Sequence, residues 1–207
     1  MIAADTVAYL VRHGLHDWLR PGANRLAGRL PGIPLNAEGR RESEGVAAML
    51  AENPLAWVVS SPLERTVETA EIIARSHSLS VERDDRFIES GLGPWEGMSV
   101  DDVMARYPGQ WRAWREDPSR VQLAGVEPVE HVADRMDEAC RGWLARGGQG
   151  VIVSHQDPLA ALLCRLIGMP LRSMRVWGIR TASVSIVRRT SHGVVVEAVN
   201  AGVALTS

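Results

Sequence analysis

Three apolar runs, TVAYLV (6–11), AWVVSS (56–61) and GVIVSH (150–155), are each followed by a segment of helical spacing, and this alternation leaves the chain few ways to fold. NAEGRRESEGVAAML (36–50) reads as a helix with Asn36 as its N-cap, and PLERTVETAEIIARSH (62–77) as a helix with Pro62 in its first turn. VEHVADRMDEACRGWLARGG (129–148) is a long amphipathic helix closed by glycines, and PLAALLCRLIGM (158–169) is a further helix. Near the end, ASVSIVRRTSHGVVVEAVN reads as two strands around a Ser-His-Gly turn. Strands that are apolar throughout and joined by helices belong in a parallel sheet covered on both sides. The expected fold is therefore α/β: a single domain over 1–207 with a mostly parallel central sheet flanked by helices on both faces. Residues 90–128, rich in Trp, Pro and Gly, break the rhythm. They read as a lid-like insertion of helical pieces and loops over the C-terminal edge of the sheet.

Each of the three runs ends in costly polar residues. The first ends in Arg12-His13-Gly14, and the second in Ser60-Ser61-Pro62 with Arg65 one turn later. The third ends in Ser154-His155. A parallel sheet carries these ends to one edge, where ligands of such folds bind. Two arginines, two histidines and a helix N-terminus would converge there, and the ligand they suit is a phosphate. Taken singly, each residue has a plainer reading. Arg12 could be a strand-end charge with a carboxylate partner, Arg65 a helix partner of Glu68, His155 a core histidine and Glu89 a loop acid. Jointly those readings need four coincidences at one place.

Composition narrows the chemistry. All 23 basic residues are arginines, which removes lysine Schiff-base and P-loop chemistry and leaves planar forks suited to phosphate. A net charge of −2 gives no footprint for nucleic acid or an anionic membrane surface. Cys140 and Cys164 form no CxxC pair and read as buried thiols. The N-terminus lacks the pattern of a signal peptide and no apolar run approaches a membrane span, so a cytoplasmic protein is expected. There is no HExxH or DxD-type ligand cluster, no GxSxG elbow, and no motif calling for a cofactor or metal.

LVRHG (10–14), SPLERTVETA (61–70), IESGLGPWEG (88–97) and VSH (153–155), in that order, resemble the motifs of the histidine phosphatase superfamily, which includes the cofactor-dependent phosphoglycerate mutases. The resemblance spans residues 6 to about 170. It implies that His13 is a neutral nucleophile forming a phosphohistidine, and that Arg12 and Arg65 fork onto the phosphoryl oxygens. It further implies that His155 is a protonated third donor and Glu89 the general acid and then base. No metal or cofactor is implied.

The chain also departs from that pattern. After Gly14 come Leu15, His16, Asp17 and Trp18, without the Asn that donates to phosphate in many members; Asn24 or backbone could stand in. Gly28 could bring its N–H to the ligand, with Arg25 or Arg29 within reach, and His16 reads as a residue of the site rim. Gln156 replaces the usual Gly after His155, narrowing the pocket or adding a donor. Trp95 is expected to pack under the Glu89 loop, and Trp111 and Trp114 to form a small core. With no lysine and no adjacent arginine pair in the insertion, a small-molecule phosphomonoester hydrolase is favoured. The alternatives are a phosphoglycerate-type mutase and a non-catalytic relative that binds a phosphorylated ligand. The sequence leaves the oligomeric state open, a homodimer included.

Overall fold

The computed structural model describes residues 6–202, so the ends of the expected 1–207 domain lie outside the described residues. Strands β1 (Thr6–Arg12), β2 (Leu55–Ser60), β3 (Val81–Arg83), β4 (Gln149–Ser154), β5 (Val184–Thr190) and β6 (Gly193–Ala201) form one sheet in the order β3-β2-β4-β1-β5-β6. The first four in that order run parallel, and β5 and β6 close the other side as an antiparallel hairpin. Helices α1 (Ala37–Leu50), α2 (Glu64–Arg75), α3 (Val100–Arg106), α4 (Pro108–Glu116), α5 (Val129–Leu144) and α6 (Gln156–Ile167) complete the fold.

Period-two alternation along β1 explains why its run is apolar throughout. Val7, Tyr9 and Val11 pack with Val46 and Leu50 of α1 and Ile73 of α2, whereas Ala8 and Leu10 pack with Met136 of α5 and Leu159 and Leu162 of α6. Helices thus cover both faces. A third apolar cluster lies in the 90–128 excursion, with Leu92, Val103 and Trp114 packed around a fully buried Trp95. Trp111 and Trp114 meet the Trp95 ring edge-on at 6.1 and 5.7 Å, a favourable aromatic geometry.

Helix ends follow the sequence with small corrections. Asn36 caps α1, its side chain accepting from Gly39 N–H at 2.9 Å. Pro62, expected in the first turn of α2, lies outside it: Leu63 is the extended N-cap and the helix starts at Glu64. The chain is still bound to the sheet there, because Ser61 N–H donates to Val153 O. Helix α6 starts two residues earlier than read and ends at Gly168, in the left-handed conformation at φ 71°. The short strand β3 and a 3-10 turn at Leu171–Val176 were not legible in the sequence.

One close approach fixes the segment after β1. A Cβ on Gly14 would lie 2.3 Å from Gly39 O, and one on Gly39 would lie 2.0 Å from Leu15 O. The Arg-His-Gly segment therefore sits on the first turn of α1, and neither backbone tolerates a side chain. Leu15 N–H also donates to Glu42 of that helix. Gly39→Ala is expected to destabilise the protein by about 2 kcal/mol and to lower activity by displacing this segment. Gly142→Ala, at an exposed position of α5 where an added Cβ meets nothing within 4 Å, is expected to stabilise by about 0.5–1 kcal/mol. Urea unfolding of both variants checks the opposite signs.

Candidate active site

The carboxyl ends of β1, β2 and β4 open into a cavity of about 400 Å³ that Arg12, His13, His16, Arg65, Glu89 and Gln156 help to line. Each chemical group is gripped by backbone from a distant segment. Arg12 N–H donates to Ser183 O and His13 N–H to Ser154 O, while Ala182 N–H returns to Arg12 O. His13 is 3% exposed, and its Nδ1 lies 2.8 Å from Gly14 O. A backbone carbonyl can only accept, so Nδ1 carries the hydrogen and Nε2 presents its lone pair. Burial foremost, then Arg65, Arg12 and His16, push the His13 pKa well below the usual histidine range, so the ring is neutral.

Arg12 donates from Nη1 to Ile179 O at 2.6 Å and to Gln156 Oε1 at 2.8 Å. Gln156 thus holds the guanidinium by accepting from it, a different task from the phosphate donor expected. Arg65 is 1% exposed and donates from Nη2 to Gly28 O at 2.8 Å. Gly28 contributes its carbonyl to the clamp where its N–H was anticipated. It has φ +49°, and a Cβ there would lie 2.5 Å from Glu96 Oε1. Neither arginine has a carboxylate within ion-pair distance among the described residues. Glu68, the alternative partner of Arg65, pairs with Arg40.

His155, fully buried, stands with its ring 5.1 Å from that of His13 and its Nε2 2.8 Å from Ser61 Oγ. It was expected to be protonated. Burial, Arg65, His13 and Arg12 instead depress its pKa well below the usual range, and the ring is neutral. Glu89 Oε2 approaches His155 Nδ1 to 4.0 Å, while Oε1 accepts from Ser90 N–H at 2.8 Å. Burial first, and then the Asp157 carboxylate, raise the Glu89 pKa to about 7 against the pull of the Ser90 N–H and both arginines. A carboxyl that holds its proton to neutrality can act as both acid and base.

The Glu89 backbone is itself held. Arg135 of α5 donates to the carbonyls of Arg86, Ile88 and Glu89, and Arg29 Nε donates to Glu89 O at 2.8 Å. Both arginines are anchored on Glu127. Arg29 therefore braces the acid from behind and does not reach the ligand, contrary to expectation. Asn24 and Arg25 do line the cavity, with Arg25 Nη1 donating to Gly97 O and its guanidinium 5.9 Å from the Trp18 ring centroid. Asp157, Arg175, Trp111, Trp114, Arg115 and Trp177 form the outer wall. Ion-paired to Asp157, Arg175 also stacks 4.6 Å over Trp114, which ties α6 to the excursion. His77 is half-buried, while His131 and His192 are exposed, and none of these three lines the cavity. Sequence reasoning missed Ser61 as partner of His155, together with Arg135 and Glu127. Among the described residues, no group of three or more His, Cys, Asp or Glu is arranged to hold a metal ion, and no helix is long and apolar enough to cross a membrane.

Six buried nitrogens around this cavity lack any protein hydrogen-bond partner: Arg12 Nε, Arg65 Nε and Nη1, His16 Nδ1, His155 Nδ1 and Trp177 Nε1. Buried donors are rarely left unpaired, because each costs about 1–3 kcal/mol, more when charged. Their concentration here describes a site built for a ligand rich in acceptor oxygens.

Comparison with known proteins agrees with the geometry. The family model described as the histidine phosphatase superfamily (branch 1) matches residues 8–202. Phosphoserine phosphatase 1 of Hydrogenobacter thermophilus is 34% identical over 187 residues, covering 86% of this chain and 84% of that protein. A Serratia proteamaculans protein named "Probable phosphoglycerate mutase GpmB" is 32% identical over 180 residues, 86% of this chain and 82% of its own. The solved complex of a mycobacterial glucosyl-3-phosphoglycerate phosphatase with inorganic phosphate is similar with a TM-score of 0.82 at 26% identity, covering 95% of this chain and 97% of that one. With the family model running over nearly all the described residues and the four motif ends meeting in one cavity, the chain belongs to branch 1 of the histidine phosphatase superfamily and is an enzyme of that family.

Proposed function

We propose that the protein is a metal-independent phosphomonoester hydrolase that acts through a phosphohistidine on a small phosphorylated metabolite. The observation that carries this reading is the set of unpartnered buried donors around a neutral His13 whose Nε2 lone pair is free. His13 Nε2 attacks phosphorus as the ester P–O bond breaks, and the leaving oxygen takes the Glu89 proton. Water then attacks the phosphohistidine and gives its proton to the Glu89 carboxylate. The P–N bond breaks and His13 is regenerated. Arg12 and Arg65 hold the phosphoryl oxygens throughout, and residues 90–128 serve as a partial lid over the leaving group.

The leaving group enters between Trp111, Trp177 and Arg115, the last without an ion pair among the described residues. The relatives named for phosphoserine and glucosyl-3-phosphoglycerate act on esters that carry a carboxylate, and Arg115 with Arg25 suits such a charge. The relative named as a mutase supports a second reading, in which phosphate returns to another oxygen of the same substrate. Lack of lysine and of paired arginines in the excursion favours hydrolysis.

Phosphate release in the presence of a chelator is expected to be fastest with carboxylate-bearing esters and to vanish in a folded His13→Ala variant. Conversion of phosphoglycerate isomers without free phosphate would replace the hydrolase by the mutase, and phosphate binding with no turnover would leave a binding protein. With Glu89 near pH 7, kcat/KM for an alkyl phosphate is expected to fall above neutrality as the acid loses its proton. Asp157→Asn removes the negative neighbour and lowers the Glu89 pKa, so that limb should move to lower pH. A nitrophenyl ester, whose leaving group needs no proton, should not show the shift. Inorganic phosphate at a hundredfold excess over its Kd should stabilise the wild type by about 2.7 kcal/mol. Arg65→Met should lose that gain while unfolding no earlier than the wild type without phosphate, since an apolar side chain of similar volume removes a buried charge. Thermal unfolding with and without phosphate checks both parts.

A further inference from the structure

His16 is the histidine of this cavity whose ring the protein does not hold. His13 is fixed by Gly14 O and His155 by Ser61 Oγ. No described group hydrogen-bonds to either ring nitrogen of His16, and its Nδ1 is buried without a partner. The residue is nevertheless 2% exposed, its ring lies 5.3 Å from that of His13 at a tilt of 31°, and it lines the cavity. A phenyl ring would pack in the same place without leaving a buried polar atom unsatisfied. The imidazole is positioned for something that arrives with acceptor oxygens.

We infer that His16 contacts the substrate: its single ring N–H donates to a non-bridging oxygen of the phosphoryl group transferred to His13. This rests on the phosphoryl-transfer reading of the cavity and adds to it a donor from the loop after β1. Its chemistry fits the position. Burial, Arg65 and Arg12 hold the His16 pKa down to about 3, with Asp17 opposing them, so the ring is neutral. A neutral imidazole supplies one N–H without adding a charge beside His13, whose own neutrality the attack requires. An arginine there would put a further permanent cation beside Arg12 and Arg65, next to the ring of His13.

The experiment compares His16→Phe, which keeps the ring and removes the donor, with His16→Asn, which keeps a shorter donor. Orthovanadate binding is read from thermal unfolding, so that no turnover is needed, and kcat and KM are measured beside it. His16→Phe is expected to weaken vanadate binding about tenfold to hundredfold and to lower kcat more than it raises KM. His16→Asn should stay within about threefold of the wild type for vanadate. A folded His16→Phe protein that binds vanadate as the wild type does overturns the inference and leaves the hydrolase reading standing. Vanadate binding lost in His16→Phe, in a wild-type protein with no turnover, upholds the inference and overturns the hydrolase. A wild type that binds neither vanadate nor phosphate overturns both. If His16→Phe does not fold, the ring nitrogens of the wild-type protein decide, labelled with 15N-histidine and identified by their absence in His16→Asn. Their resonances should shift when inorganic phosphate is added, and an unmoved His16 overturns the inference.

Discussion

Arg65 places a permanent positive charge in the interior with 1% of its surface exposed and no carboxylate in contact, and most of the site is arranged around that fact. A buried ion ordinarily needs an ion-pair partner. Here the support comes from dipoles: Gly28 O for Arg65, and Ile179 O and Gln156 Oε1 for Arg12. Carbonyl oxygens satisfy the geometry of the donors without cancelling their charge. Burial first, and then the positive charge of the two arginines, keeps three histidine rings neutral, and several buried nitrogens of these residues have no protein partner. An arriving phosphate dianion would meet both the charge and the donors at once.

Glu89 answers to the opposite pressure. It is the acid facing both arginines, and alone it would be drawn to ionise. Burial and Asp157 offset that pull, and the Ser90 N–H holds one oxygen in place. Asp157 is in turn tied to Arg175, which stacks on Trp114 of the excursion. The acid's proton affinity is thereby linked to the packing of the outer wall, where the leaving group would rest.

The parts of this site that lie next to one another in sequence were legible. A strand must be apolar to be buried between two helical layers, so Arg12, His13, Ser154 and His155 stand out at strand ends, and the order of motifs places Arg65 and Glu89. What could not be read depends on partners far along the chain. Ser61 reaches His155 across 94 positions, and Arg135 reaches the Glu89 carbonyl across 46. Serine after a strand and arginine on an amphipathic helix look the same wherever they are used. The charge of His155 was misjudged for a related reason, since protonation depends first on burial and then on Arg65, His13 and Arg12, and not on the motif that contains the histidine. At Gly28 the sequence did not reveal that the carbonyl accepts from Arg65 or that Glu96 packs against the glycine. Strand β3 is too short to carry a periodic signal.

Arg12 belongs to the first strand, yet the carbonyl that steadies its guanidinium comes from Ile179, 167 positions later, and Ser183 binds its backbone. During synthesis, β1 emerges well before the segment that completes its own clamp. His13 is made early, and the carbonyl that steadies its neighbour Arg12 late. A ribosome-bound fragment that ends before residue 179 holds all four motif segments yet lacks the carbonyl that steadies the Arg12 guanidinium.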